Sequence, residues 1–429
     1  MNARLRAADV LPLVAAASIP LVFLHAMYQW HAKVGPVDIY GSDVAIALVV
    51  ASAIAAGVLF GWQPLGQMRV VWILMALLFG LFVVACFWQP VELPKRHLTT
   101  AAKMIEYALL APSVVLLLRR RVDVERFLGV FVGWAFAAAF WGVLMFLAIV
   151  DDPEGPRPGQ REVSFLGHQD YGTFTGAALA IGLSAFALKM RPRLAAVAIA
   201  AGAIGVILDA SIFVYFGCLL TIVAVVWIGR RAGTLTLRRG LAIAAVMLFV
   251  GWGVYVLRGS DVTNYLNFLG ISKKHTNIAG HVETGSQRAM LLWIGYQMWK
   301  DHPILGLGFE RSNFDYKPYL PAAHRKYPHQ TAQAFPSPSH RWGVQNYYVE
   351  LLADTGAVGF VLGIATFLTG IVVALRQARK PSFLALSAAG FILVAAGAWN
   401  AVGIIAGIPM DAVTWIGFGL AGVALEVNV

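Results

Sequence analysis

The sequence predicts an all-α fold, a polytopic transmembrane helical bundle of about 12 spans, and three observations predict it. Only 13% of its 429 residues are charged, where soluble chains carry about 25%. With 59% hydrophobic residues and a mean hydropathy of +0.71, the chain needs lipid as solvent rather than one water-facing core. Apolar runs of about 20 residues recur along the whole length, each able to cross a hydrocarbon layer of roughly 30 Å.

The first run, residues 10–30, follows "MNARLR". It is longer than the core of a signal peptide and lacks a small-residue cleavage site, so it reads as an uncleaved span. Runs at 43–61 and 69–88 follow, and the fourth, 99–118, carries Lys103 and Glu106 on one face near its outer end. The fifth covers 126–150 and the sixth 172–189. The short seventh and eighth, 194–209 and 211–229, are separated at "DAS", which predicts a kink at Asp209–Ser211. The ninth, 239–257, completes a bundle over residues 1–257. Runs at 357–375, 382–400 and 403–425 form a second membrane region over residues 357–429. Cys86 and Cys218 fall inside apolar runs and read as small core hydrophobes.

Loop charge orients these spans. With the N-terminus in the cytoplasm, "RRRVDVER", "KMRPR", "GRRAGTLTLRRG" and "RQARKPS" all fall on the cytoplasmic side. Both termini are then cytoplasmic, and the long polar loops lie outside. The net charge of +11 is therefore topology information, and nucleic acid is not an expected partner; membrane lipids are.

Residues 258–356 are too long for a plain connection. They contain "QRAMLLWIGYQMWK", an almost wholly apolar helix expected to be buried or to lie in the membrane interface. In "DHPILGLGFERSNF", Pro303 ends that helix and Gly306 and Gly308 permit tight turns. Asn346 is a candidate cap for the next helix, and Gly356 a break before the tenth span. The expected unit is a helical extracytoplasmic cap over the outer mouth of the bundle.

Arg288 opens an apolar helix, where a cation meets the positive end of the dipole unless an anion shares the site. It is a candidate for holding a phosphate, or else a snorkelling arginine or a partner of Glu283. His340 is a candidate proton acceptor at neutral pH, and Arg341 beside it would favour its neutral form. A plain surface histidine, like His324 and His329 in the same loop, is the alternative. Glu350 and Asp354 are fallback bases or a solvated face. Lys103 touches phosphate or pairs with Glu106. Arg161, His168 and Asp170 precede the sixth span as a helix cap or as contacts to an anion and to sugar hydroxyls, and Asn346 and Glu350 are further candidates for sugar contact. No metal site is expected, because His-x-x-x-His pairs and clustered carboxylates are missing, and no cofactor is expected.

Two segments, "GSQRAMLLWIGYQMWKDHPILGLGFERSNF" and "SHRWGVQNYYVELLADTGAVGF", together resemble the O-antigen ligase and polymerase family of membrane glycosyltransferases. The resemblance covers the C-terminal half; the first five spans match only in hydropathy. It implies a metal-independent, inverting enzyme of the GT-C type in the bacterial inner membrane. Such an enzyme takes a glycan from a polyprenyl pyrophosphate donor and gives it to a lipid, glycan or protein acceptor on the outer face. Arg288 matches the family's phosphate-binding arginine and His340 its loop histidine. Two departures stand out. "RWGVQ" separates His340 from Asn346, and "LDASIFVYFG" lacks the arginine that the family carries at the start of the eighth span, a charge that Arg161, Lys103 or Arg341 would have to supply. The competing expectations are a transporter or flippase of a polar lipid, for which no inverted repeat is visible, and a structural membrane protein.

Overall fold

Once lipid replaces water, the backbone of an apolar run can satisfy its polar groups only within the segment, and the runs accordingly form helices. The computed structural model describes residues 3–35, 37–87, 94–151, 161–167, 170–268, 284–328, 330–339, 341, 343–377, 382–403 and 408–427. In order, the elements are α1 (Ala3–Val22), strands β1 (His31–Val34) and β2 (Val37–Tyr40), α2 (Gly41–Phe60), α3 (Gln63–Gly66), α4 (Arg69–Ala85), α5 (Pro94–Ala108), α6 (Leu110–Leu117), α7 (Arg121–Phe146), α8 (Asp170–Ala187), α9 (Pro192–Asp209), α10 (Ile212–Arg231), α11 (Leu237–Phe268), α12 (Thr284–Asp301), α13 (Leu320–Lys326), α14 (Tyr347–Gln377), α15 (Phe383–Ala398) and α16 (Ile408–Glu426).

Seven helical stretches among the described residues are long and apolar enough to cross a membrane, and three shorter apolar helices accompany them. The first span is shorter than expected. α1 stops at Val22, and an antiparallel hairpin pairs His31 with Tyr40 and Val34 with Val37. This hairpin is an exception to the all-helical expectation. Its strand residues are mostly exposed and include His31, Lys33 and Asp38, which cannot continue an apolar helix. The expected kink at Asp209–Ser211 is instead a full break. Ala210 adopts φ 52°, and the Ser211 hydroxyl caps α10 by accepting from Val214 N at 3.4 Å.

α8 is the axis of the bundle. All its side chains except Phe186 are buried, and it packs against α7, α9, α10, α15 and α16. Small residues allow that crowding: a Cβ on Gly202 of α9 would lie 2.5 Å from Leu179 Cβ. Outer helices show the reverse pattern, with Leu48, Val58, Val223, Leu248 and Trp252 exposed. An apolar outside around a small-residue inside is the arrangement expected of helices solvated by lipid.

Polar side chains meet at both ends of the bundle. At one end, Arg120 bonds Asp9 at 2.8 Å, Arg119 bonds the Phe60 carbonyl at 3.0 Å, and Arg191 pairs with Glu125. At the other end lie the starts of α2, α5, α8, α14 and α16, rich in carboxylates.

Residues 284–335 add a small helical unit with its own apolar core, in which Met290, Leu291, Ile294 and Met298 of α12 meet Leu307 and Phe335. One stripe of α12 is thus buried, while Tyr296 remains exposed. A backbone clasp joins this unit to α14. Gly356 interrupts α14 at φ 63°, ψ −163°, and the helix loses its own hydrogen bonds there. Segment 303–308 replaces them: Leu307 N and Gly308 N each donate at 2.8 Å to the Ala353 and Asp354 carbonyls, and Ala357 N and Val358 N donate to the Pro303 and Ile304 carbonyls at 2.9 and 3.3 Å. Two backbones can approach so closely only without side chains. A Cβ on Gly306 would lie 2.4 Å from the Asp354 carbonyl carbon, and one on Gly356 2.3 Å from that of Ile304.

Candidate functional site

The clasp delivers residues 309–314 to the seam where the helical unit meets α4, α5 and α14. Asp354 organises this stretch: its Oδ2 accepts from Glu310 N at 2.9 Å and its Oδ1 from Ser312 N at 2.8 Å. Phe309 N donates to the Ala85 carbonyl at the end of α4, and the Phe309 ring lies 4.9 Å from that of Phe82. Held from both sides, Glu310 takes the left-handed conformation at φ 62°, a strained geometry for a non-glycine residue.

Glu310 thereby turns into the start of α5. Its Oε2 lies 3.2 Å from His97 Nδ1, with both side chains buried, and its Oε1 lies 3.5 Å from Arg96 Nε. The contact sets the buried imidazole of α5 against the buried carboxylate of the helical unit. The His97 ring stands edge-on to Phe314 at 5.5 Å. Over the same Phe314 ring lie two exposed guanidiniums, Arg96 at 5.2 Å and Arg341 at 4.6 Å. Both guanidiniums are thus within cation–π reach of a single ring, and Arg96 also faces Glu310.

Further along the same end, Asn313 Nδ2 donates to Glu350 Oε1 at 3.4 Å. Glu350 is buried, so it is not part of a solvated face, and neither is the buried Asp354. Asn346 caps α14 by accepting from Val349 N at 3.1 Å, while its amide reaches the Asn400 carbonyl at 3.2 Å. Asp170, at the start of α8, is buried and is a charged neighbour of Asp411 at the start of α16.

Arg288 is half-buried just beyond the first turn of α12, next to Gln287, whose amide donates to the Ala334 carbonyl at 3.0 Å. Arg161 lies against the break between α9 and α10, with its NH2 group 3.0 Å from Asp209 Oδ1. Lys103 lies further along α5 than Arg96 and His97. Its ammonium contacts Asp43 and lies 3.7 Å from Glu106 Oε2, so the intrahelical pairing considered from the sequence is present and a second carboxylate joins it. His340 and His168 lie outside the described residues; the described neighbour of His340 is Arg341 on Phe314.

Sequence reasoning missed Arg96, His97 and Glu310. A signal was present in "KRHLTT", a histidine and an arginine at the lip of a span, the same pattern that drew attention to "SHRW". In the helical unit, burial and a bond to Asp301 push the Tyr319 hydroxyl up to about 12.

No protein-family model matches the chain, and no curated protein sequence matches it.

Proposed function

We propose that the chain is a metal-independent membrane glycosyltransferase, resembling the O-antigen ligases, that moves a glycan from a polyprenyl pyrophosphate to an acceptor hydroxyl outside the cytoplasm. The observation that carries this reading is the convergence of Arg96 and Arg341 on Phe314 beside the buried His97–Glu310 pair. In the reaction, the acceptor oxygen attacks the anomeric carbon and a base takes its proton. The bond from that carbon to the pyrophosphate oxygen breaks, and the departing diphosphate carries the negative charge. Such a leaving group is already good, so catalysis needs neutralisation of that charge and a positioned base. Arg96 and Arg341 supply the first at the seam, with Arg288 contributing from α12. His340 is the base implied by the resemblance, and His97, oriented by Glu310, is a second histidine at the same seam.

Arg161 bears on the arginine missing from "LDASIFVYFG". Its guanidinium bonds Asp209 beside that turn, which supports it as the replacement cation. Buried carboxylates at this end, Glu350 and Asp170 among them, would accept hydrogen bonds from sugar hydroxyls. Apolar helices around this end suit a donor that arrives by its lipid tail, and the loop charges put this end outside the cytoplasm.

Transfer from an undecaprenyl-pyrophosphate oligosaccharide in proteoliposomes tests the proposal. Arg288→Ala, His340→Ala and Arg341→Ala should each lower transfer roughly 100-fold or more with expression unchanged. Full activity in Arg288→Ala and His340→Ala together would reject these assignments. Translocation of the lipid with no new glycosidic bond would identify a transporter instead.

A further inference from the structure

We propose that the open groove between α2 and α5 binds the headgroup of an ethanolamine-bearing phospholipid. α2 packs along α6 but touches α5 far less, and the gap is a groove of about 550 Å³ lined by Asp43, Lys103 and Glu106 among apolar Val44, Ala47 and Leu98. It lies on the side of the bundle, where Val44 and Leu48 are exposed, and Asp43 in the first turn of α2 marks its depth as near the end of the helix.

The chemistry of the groove selects the ligand. Two carboxylates share one ammonium, so a second cation in the groove would let both carboxylates be ionised. Asp43 is buried. Its Oδ2 accepts from Tyr40 N at 2.7 Å and contacts Lys103, whereas its Oδ1 has no hydrogen-bond donor among the described residues. A buried carboxylate oxygen without a donor is unfavourable, and in a span it calls for a cation that can give a hydrogen bond. A primary ammonium does both. Lys103, which contacts both carboxylates, has donor capacity left for the phosphate that follows two carbons from that ammonium. Acyl chains then run along Val44, Ala47 and Leu98. A choline headgroup has no N–H to offer Asp43, and a glycerol headgroup brings no positive charge. The apolar wall commits the site to a lipid of the bilayer rather than to a free amine. This inference is independent of the transfer reaction.

Native mass spectrometry of the delipidated full-length chain, titrated with phosphatidylethanolamine, phosphatidylcholine and phosphatidylglycerol, is the test. Phosphatidylethanolamine should be retained at least about tenfold more strongly than the others. Glu106→Gln should remove that preference. Ala47→Phe, which fills the groove and leaves the triad intact, should abolish retention with an unchanged melting temperature, and it decides the matter if Glu106→Gln does not fold. Equal retention of phosphatidylcholine, or retention unaltered by Ala47→Phe, would overturn the proposal. Glycerophosphoethanolamine, which has the headgroup without the chains, should not be retained; if it binds as tightly, the ligand is a soluble amine and the lipid assignment is wrong.

Discussion

Asp354 shows how much one side chain organises. Both of its oxygens accept backbone N–H groups, from Glu310 and Ser312, so an amide in its place would turn an NH2 group toward one of those donors. Asp354→Asn should therefore destabilise the protein by roughly 1–3 kcal/mol, seen as a lower melting temperature in detergent, and should reduce transfer by loosening Glu310 from His97. An unchanged melting temperature would mean that the two hydrogen bonds contribute nothing. Gly356→Ala is worse placed still, because a Cβ would strike Ile304 in a conformation at φ 63° and the strain alone costs about 1–3 kcal/mol. Tyr319 gives a pH signature. Its hydroxyl is raised from the ordinary 10 to about 12, so the folded state holds this proton more tightly than the unfolded one. The associated stability is intact below pH 10 and falls as pH rises through about 12. Absorbance at the tyrosinate band should show a tyrosine titrating near pH 12, and replacing Tyr319 with Phe should remove it.

At the scale of the element, close helix approaches carry the bundle. α10 and α15 meet glycine to glycine: a Cβ on Gly397 would lie 2.6 Å from Gly217 Cα, and one on Gly217 2.7 Å from the Val394 carbonyl. Helices in lipid gain from such contacts mainly through packing, since the surrounding chains are as apolar as the helices themselves. Gly397→Val should force α10 and α15 apart and destabilise by roughly 1–3 kcal/mol, measured as a lower unfolding midpoint, whereas Val223→Ala on the exposed side of α10 should change it little. Sequence periodicity identified the helices well and their partners poorly. α8 reads as one more span in "DYGTFTGAALAIGLSAFA", yet its small residues mark it as the buried axis. The first span was placed too far along the chain because apolar composition continues past Val22, where α1 ends and only a short 3₁₀ turn, Ala26–Tyr28, follows.

At the scale of the whole molecule, buried carboxylates gather at one end of the bundle. Arg119, Arg120 and Arg191 lie at one end, while Asp170, Glu310, Glu350 and Asp354 gather at the other. Loop charge in the sequence is the basis of the expected orientation. Labelling with a membrane-impermeant maleimide should then reach Tyr296→Cys from outside intact cells and Arg231→Cys only after permeabilisation. The opposite pattern would reverse the orientation and place the seam in the cytosol. The candidate site was only half legible at this scale. Arg288 and Arg341 stood out beside apolar runs, and so did His340, which lies outside the described residues. Arg96, His97 and Glu310 became meaningful only together.

Which stretches become helices and which loops carry the positive charge are local matters, because a backbone in lipid must satisfy itself within each segment. Pairing across the fold is not local. Glu310 reaches His97 because Gly306 and Gly356 let two backbones touch and Asp354 then turns the following chain toward α5. Arg161 reaches the Asp209 turn through packing between helices that are not neighbours along the chain. No pattern in a run of residues encodes such meetings, since each depends on how separate helices fill space against one another.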